Sequence, residues 1–184
     1  MASATRRRAA RPRARPAQLS RDEQRRLWAP WRSAYITRSA PAEPGCVFCR
    51  ARRSRDDRRV QVIHRGQHVF AILNKYPYNV GHLMIALNRH VGEFERVRPE
   101  EGAEWFQMAQ DMAALLKRTV RPQGINLGIN MGRIAGAGIP GHLHLHLVPR
   151  WSGDTNFMPV VGGAKVMSLS LETLYDVLMK AQRP

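Results

Sequence analysis

The chain lacks any apolar run long enough to span a bilayer, and it lacks the apolar core of a secretory leader. The expectation is therefore a cytoplasmic protein with no membrane partner. It has only two cysteines, Cys46 and Cys49, which excludes a disulfide framework as the source of stability. No internal repeat is visible, and neither the P-loop nor the dinucleotide fingerprint fits its glycines. Acidic residues are also scarce, 14 against 30 Lys and Arg, for a formal net charge of +16. That shortage is local. Between Arg6 and Arg26 nine arginines face only Asp22 and Glu23, with Pro12, Pro16 and almost no large apolar side chain before Leu19. Such a composition cannot bury enough surface to fold, so residues 1–26 read as a disordered basic tail. An Arg- and Ala-rich start also fits a presequence. Without an apolar helical face, a solvated tail with incidental affinity for nucleic acid is the better reading.

What remains, from 184 residues in all, is enough for one domain with a good core. Residues 27–167 read as that domain and 168–184 as a C-terminal helical extension. Residues 27–36 concentrate aromatic surface and read as a strap against a core or partner subunit. Cys46-Val47-Phe48-Cys49 is a tight turn or helix start, followed by a basic stretch to Arg59. Val60 to His64, Val69 to Leu73, His82 to Leu87 and Ile125 to Met131 have strand character. Pro99 opens a helix with Glu100, Glu101 and Glu104 near its positive end. Trp105, Met108, Met112, Leu115 and Leu116 recur along one face of it. Ser170 can cap a last helix with a stripe of Leu171, Leu174, Val177 and Leu178. Strands joined by short links with few helices predict an α+β fold, an antiparallel sheet with helices on one side.

The richest stretch is His142-Leu143-His144-Leu145-His146-Leu147. Alternation is the period of a strand, so three imidazoles share one face while three leucines pack behind it. Imidazole is a poor core group unless its nitrogens find partners, which makes three on one face a candidate for metal binding or catalysis. The loop Gly132 to Gly141 just before it is rich in glycine, and closely approaching backbone N–H groups suit a phosphate. Asn126 and Asn130 alternate on the strand before and could add amide donors. A neutral imidazole is a competent nucleophile at phosphorus, and its neighbours can hold its tautomer or move a proton. Phosphoryl or nucleotidyl transfer through a histidine adduct follows. The competing reading is a zinc hydrolase using all three histidines, but rings two apart on one strand lie side by side and no carboxylate base stands near. His64, His68 and His82 have no partner in the pattern and read as structural.

This stretch resembles the signature of the histidine triad (HIT) superfamily of nucleotide hydrolases and transferases. The resemblance extends over Cys46 to Cys49, Phe70 to Asn74 and Pro77 to Leu87, and so covers roughly Gly45 to Trp151. Pro149-Arg150-Trp151 is similar to the branch of bacterial diadenosine tetraphosphate phosphorylase-like and fragile histidine triad-like proteins. It implies a five-stranded antiparallel sheet with helices, paired as a homodimer, acting on adenine nucleotides or dinucleoside polyphosphates. It implies His144 as the nucleophile, His146 as the group that contacts phosphate and handles protons, and His142 beside them. Asn74 falls at the ribose position, Phe48, Phe70 and Ile72 around the base, and Asn130 with the backbone of Gly136, Ala137, Gly138 and Ile139 at the phosphate. Trp151 joins the implied substrate contacts. Many relatives carry a glutamine and a Ser or Thr where this chain has Gly138 and Ile139, so only backbone donors remain there. The resemblance also implies a structural zinc held by Cys46, Cys49, His90 and His142, four protein ligands leaving no open position.

Overall fold

The computed structural model describes residues 45–156, 161 and 166–182. The basic tail and the aromatic strap expected before Cys46 lie outside the described residues. In chain order the elements are α1 (Val47–Arg53), α2 (Asp57–Val60), β1 (Val62–Arg65), β2 (Val69–Leu73), β3 (Leu83–Leu87), a 3-10 turn (Phe94–Arg96), α3 (Pro99–Thr119), β4 (Gly124–Ile129), β5 (His144–Arg150) and α4 (Leu171–Gln182). The strands form one five-stranded antiparallel sheet in the order β1-β2-β3-β5-β4. This is the α+β architecture that the alternation of strand and helix patterns predicts.

Two boundaries differ from the sequence reading for local reasons. Val60 does not begin a strand, because the Asp56 carboxylate accepts the Arg59 N–H at 3.0 Å and caps a helical turn there. Gln61, at φ 62°, ends that turn in the left-handed region. The histidine strand begins at His144 and not at His142, since Leu143 N–H donates to the Val91 carbonyl outside the ladder, at 2.8 Å. Here the loop after β3 meets the glycine-rich loop. A Cβ on Gly92 would stand 2.7 Å from the Pro140 carbonyl oxygen, so the approach requires glycine.

The sheet has two differently covered faces. Val69, Ala71, Leu73, Leu83, Ile85, Leu87, Leu143 and Leu147 pack under Trp105, Met108, Met112, Leu115 and Leu116 of α3 and Leu174 and Leu178 of α4. The Trp105 indole N–H donates to the Ile85 carbonyl at 2.8 Å, pinning α3 to the central strand. On the other face Phe70, Ile72, Met84 and Ala86 form a smaller cluster with Phe48 and Ala51 of α1. The last helix starts as read, with Ser170 Oγ accepting the Thr173 N–H at 3.1 Å. It is tied in by Leu174, Tyr175 and Leu178, all buried, and by the Arg58–Asp176 ion pair. No helix among the described residues is long and apolar enough to cross a membrane.

Two of the acidic residues near the start of α3 bind neighbouring elements. Glu104 accepts the N–H groups of Gln67 and His68, each at 2.7 Å, and holds the β1–β2 turn. Glu101 is buried, accepting Arg89 Nε and Nη2 at 2.9 and 2.8 Å and the Arg98 N–H at 2.9 Å. The Arg89 guanidinium pulls its carboxyl down to about 2 against burial, which pushes the other way. A depressed folded-state pKa contributes stability above the unfolded value of 4.5 and loses it as pH falls through about 2. Glu101→Gln should therefore lower the denaturant midpoint at pH 7, by about 2 kcal/mol. The gap to wild type should narrow between about pH 4.5 and 2, and a gap independent of pH would refute the assignment.

Candidate active site

Register places the histidines. Ala86 pairs with both Phe70 and His144, and Met84 with both Ile72 and His146, while Gly128 pairs with His146 from β4. Two rows thus cross the sheet on one face, Phe70–Ala86–His144 and Ile72–Met84–His146–Gly128. Each apolar ring or branch stands two strands, about 10 Å, from its histidine. Phe48, from α1, lies over the first row, its ring centroid 4.8 Å from His144, 5.1 Å from His142 and 6.4 Å from Phe70. The three residues expected around the base thus lie near His144, though no short sequence interval joins them, and Phe48 and Phe70 are fully buried.

The hydrogen bonds assign a different proton arrangement to each ring. His144 Nδ1 lies 2.8 Å from the His142 carbonyl, to which it must donate, leaving an in-plane lone pair on Nε2. His82 Nδ1 accepts the Tyr78 N–H at 3.0 Å, so its proton sits on Nε2. That N–H points at His146 Nδ1, 2.9 Å away, which must accept it. The proton of His146 is thereby placed on Nε2. Burial pushes His146 down to about 4, with adjacent His144 adding to the effect, and burial lowers His144 as well. Both rings are neutral near pH 7, one presenting a lone pair and the other an N–H. Their ring centroids are 4.8 Å apart.

His82, read from the sequence as structural, is a satisfied histidine in the fold, and no sequence pattern shows which ring it orients. It is fully buried and bonded to His146. Nothing in its spacing marks it, because the contact depends on the β3–β5 register. Of the other two, His64 is exposed and has Gln182 Oε1 3.3 Å from its Nδ1.

A second cluster occupies the end of the histidine loop. One donor atom from each of Cys46, Cys49, His90 and His142 lies within 4.8 Å of all the others. Cys46 Sγ is 3.3 Å and Cys49 Sγ 3.6 Å from His142 Nδ1, while His90 Nδ1 is 3.2 Å from His142 Nδ1 and 3.3 Å from Cys49 Sγ. A tetrahedral ion with bonds of about 2.0–2.3 Å has edges of roughly 3.3–3.8 Å, so the set fits one. His142 Nε2 donates to the Leu87 carbonyl at 2.7 Å, which turns the Nδ1 lone pair toward the cluster. Burial pushes His142 down to about 4, keeping it neutral as a ligand must be. The predicted four residues are thus brought together and could hold a metal ion.

The remaining predicted residues are distributed around the rows. Asn74 closes β2, its Oδ1 accepting the Tyr76 N–H at 2.9 Å and its Nδ2 3.3 Å from His82 Nδ1. Asn130, just past β4, directs its Nδ2 to the Gly136 carbonyl at 3.4 Å. The N–H groups of Gly136 and Ala137 are spent inside the loop on Arg133 and Gly132 carbonyls. Those of Gly138 and Ile139 make no hydrogen bond among the described residues, and Ile139 packs on the Phe48 cluster. Trp151 lies five residues beyond His146 and donates its indole N–H to the Arg121 carbonyl at 3.1 Å. Within this chain it stands at the opposite end of β5 from His144. Tyr78, which the sequence reading passed over as loop, has its ring 4.7 Å from His82 and 6.0 Å from His146.

The HIT domain model matches residues 56–153. The chain belongs to the HIT family. A relative named AP-4-A phosphorylase, from Mycobacterium tuberculosis, is 40% identical over 80% of this chain and 78% of its own length. A bis(5'-adenosyl)-triphosphatase from Saccharomyces cerevisiae is 29% identical over 50% of this chain and 44% of that protein. Among solved structures, a Zn-bound histidine triad family protein from Mycobacterium smegmatis superposes with a TM-score of 0.61 at 25% identity. That match covers 74% of this chain and 92% of that one.

Proposed function

We propose that this HIT protein is a nucleotide hydrolase or nucleotidyltransferase acting on dinucleoside polyphosphates or related adenine nucleotides. The observation that carries the reading is the pair of opposite tautomers, a lone pair on His144 Nε2 beside an N–H on His146 Nε2. In the first step His144 Nε2 attacks the α-phosphorus, and the bond from phosphorus to the departing nucleotide breaks. The electron pair leaves on the bridging oxygen, the departing phosphate carries the charge, and His146 Nε2–H stabilises that oxygen by a hydrogen bond while keeping its proton. In the second step an acceptor oxygen attacks the phosphorus, any proton it carries passes to solvent, and the bond to His144 Nε2 breaks, releasing a neutral imidazole. Phe48, Phe70 and Ile72 form the apolar backing of the base site, Asn74 takes the ribose, and Asn130 with the free amides of Gly138 and Ile139 the phosphate.

The acceptor is water or inorganic phosphate. The relative named as a phosphorylase, at 40% identity, supports phosphate. Diadenosine tetraphosphate incubated without phosphate should give AMP and ATP if water serves, and with phosphate ADP and ATP if phosphorolysis does. An enzyme that yields neither pair of products is not the one proposed. The Cys46, Cys49, His90 and His142 set is proposed to hold a structural zinc, consistent with the Zn-bound relative of similar fold. A homodimer is proposed through α3 and β4. β4 pairs only with β5 among the described residues, and Leu127 on it and Phe106 on α3 are 52% and 65% exposed. Sedimentation of the full chain as a monomer at micromolar concentration would exclude that pairing.

A further inference from the structure

The histidine rows carry an aromatic ring at each end, and the two rings differ in kind. At the His142–His144 end Phe48 is fully buried, part of the protein's own packing. At the His146 end Tyr78 lies nearly parallel to the His146 ring, at 26° and 6.0 Å, yet the residue remains 42% exposed. An exposed aromatic on a loop ordinarily pivots freely. This one is fixed from both sides. Its own N–H is spent on His82 Nδ1 at 3.0 Å. The next residue, Asn79, is buried and donates its amide to the Pro149 carbonyl at 3.0 Å and to Asp154 Oδ2 at 2.7 Å. Asp154 is in turn held by Arg150, whose Nε and Nη2 donate at 2.5 and 3.0 Å. The loop is thus clamped to the end of the catalytic strand, and a rigid aromatic surface is presented beside the imidazole whose N–H faces the leaving oxygen in the proposed reaction.

From this geometry we infer that Tyr78 is a specificity residue that stacks the base of the leaving nucleotide. The inference rests on the reading that dinucleoside polyphosphates are the substrates. A ligand with two bases joined by a phosphate chain has one base to place near Phe48, Phe70 and Ile72 and another to place beyond His146. A mononucleotide has only the first. Aromatic stacking tolerates any base, since every base has a π face, so Tyr78 selects for the presence of a second nucleoside more than for its identity. The rigid ring loses little freedom when it is covered, which favours its use as a platform.

The test uses the full chain as wild type, Tyr78→Ala and Tyr78→Phe. Alanine keeps the backbone N–H and leaves the His82 tautomer alone. Calorimetry gives the Kd of a non-hydrolysable methylene-bridged diadenosine tetraphosphate and of AMP, and turnover of the natural dinucleotide is measured in parallel. The expected result for Tyr78→Ala is a Kd and KM for the dinucleotide raised about tenfold or more, with the Kd for AMP within about twofold. Tyr78→Phe should recover most of that loss. An unchanged dinucleotide Kd in Tyr78→Ala overturns the inference. So does a parallel rise for AMP, or a fall in kcat with no change in Kd, which marks a ring that only positions His146. A wild type that binds the dinucleotide no more tightly than AMP overturns it as well. If wild type binds the dinucleotide tightly and Tyr78→Ala weakens it, but no turnover occurs, the stacking site stands and the proposed reaction falls.

Discussion

Replacement of His144 by alanine is expected to lower turnover of a dinucleoside polyphosphate by about 10⁴-fold or more, while nucleotide affinity changes little. The magnitude follows from what is lost. Among the described residues of the histidine strand no other imidazole offers a directed lone pair, since the His146 Nδ1 lone pair is taken by His82 and the His142 Nδ1 faces the cysteines. Rapid acid-free quenching should trap labelled nucleotide on wild type and none on the variant. Activity near wild type would end the assignment. The same geometry sets the pH profile. His146, facing His144, His82 and Tyr78, is held by burial at about 4, well under the ordinary 6.5. Protonating its Nδ1 would break the bond from His82. Burial lowers the nucleophile His144 as well, so the acid limb of kcat/KM should lie below 6.5, and a limb at 6.5 or above would show that the rings are solvated in the working enzyme.

Removal of the metal ligands is expected to have the second largest effect. The double variant Cys46→Ser, Cys49→Ser should lose about one zinc per chain by elemental analysis and several kcal/mol of stability. Its turnover should fall too, for a reason visible in His142. That residue points its Nδ1 at the thiols, while its backbone carbonyl accepts the Nδ1 proton of His144. Phe48, between the two cysteines in sequence, packs its ring on both histidines. Freeing the clip thus loosens both the acceptor that fixes the tautomer of His144 and the ring that walls it. A metal-free chain of equal stability would refute the site.

The local elements were legible because they depend on near neighbours. The alternation from His142 to Leu147 placed imidazoles and leucines on opposite faces, and Pro99 with its acidic turn marked the start of α3. β2 lies within the limits that its apolar run suggests, since a strand covered on both faces needs apolar residues throughout. The boundaries that shifted, at Val60 and His142, were decided by a side-chain cap and by a loop-to-loop hydrogen bond, neither of which leaves a periodic trace.

For the site, the sequence by itself determined which atoms were available: two thiols, the imidazole row, small residues before it and a ring in the Cys-x-x-Cys turn. It could not say which nitrogen of each ring carries a proton, because that depends on partners reached only through folding. The Leu87 carbonyl, 55 residues from His142, turns one ring toward the thiols. His82, 64 residues from His146, orients another through strand register. Tyr78 comes over that pair through its own N–H bond to His82 and the reach of Asn79 to Pro149 and Asp154. Residue types were thus readable from the chain, whereas tautomers and sidedness, which set alike imidazoles apart, are properties of the tertiary structure. The physical reason is that a hydrogen bond is specified by the distance and angle between two groups, and sequence separation constrains neither across a sheet.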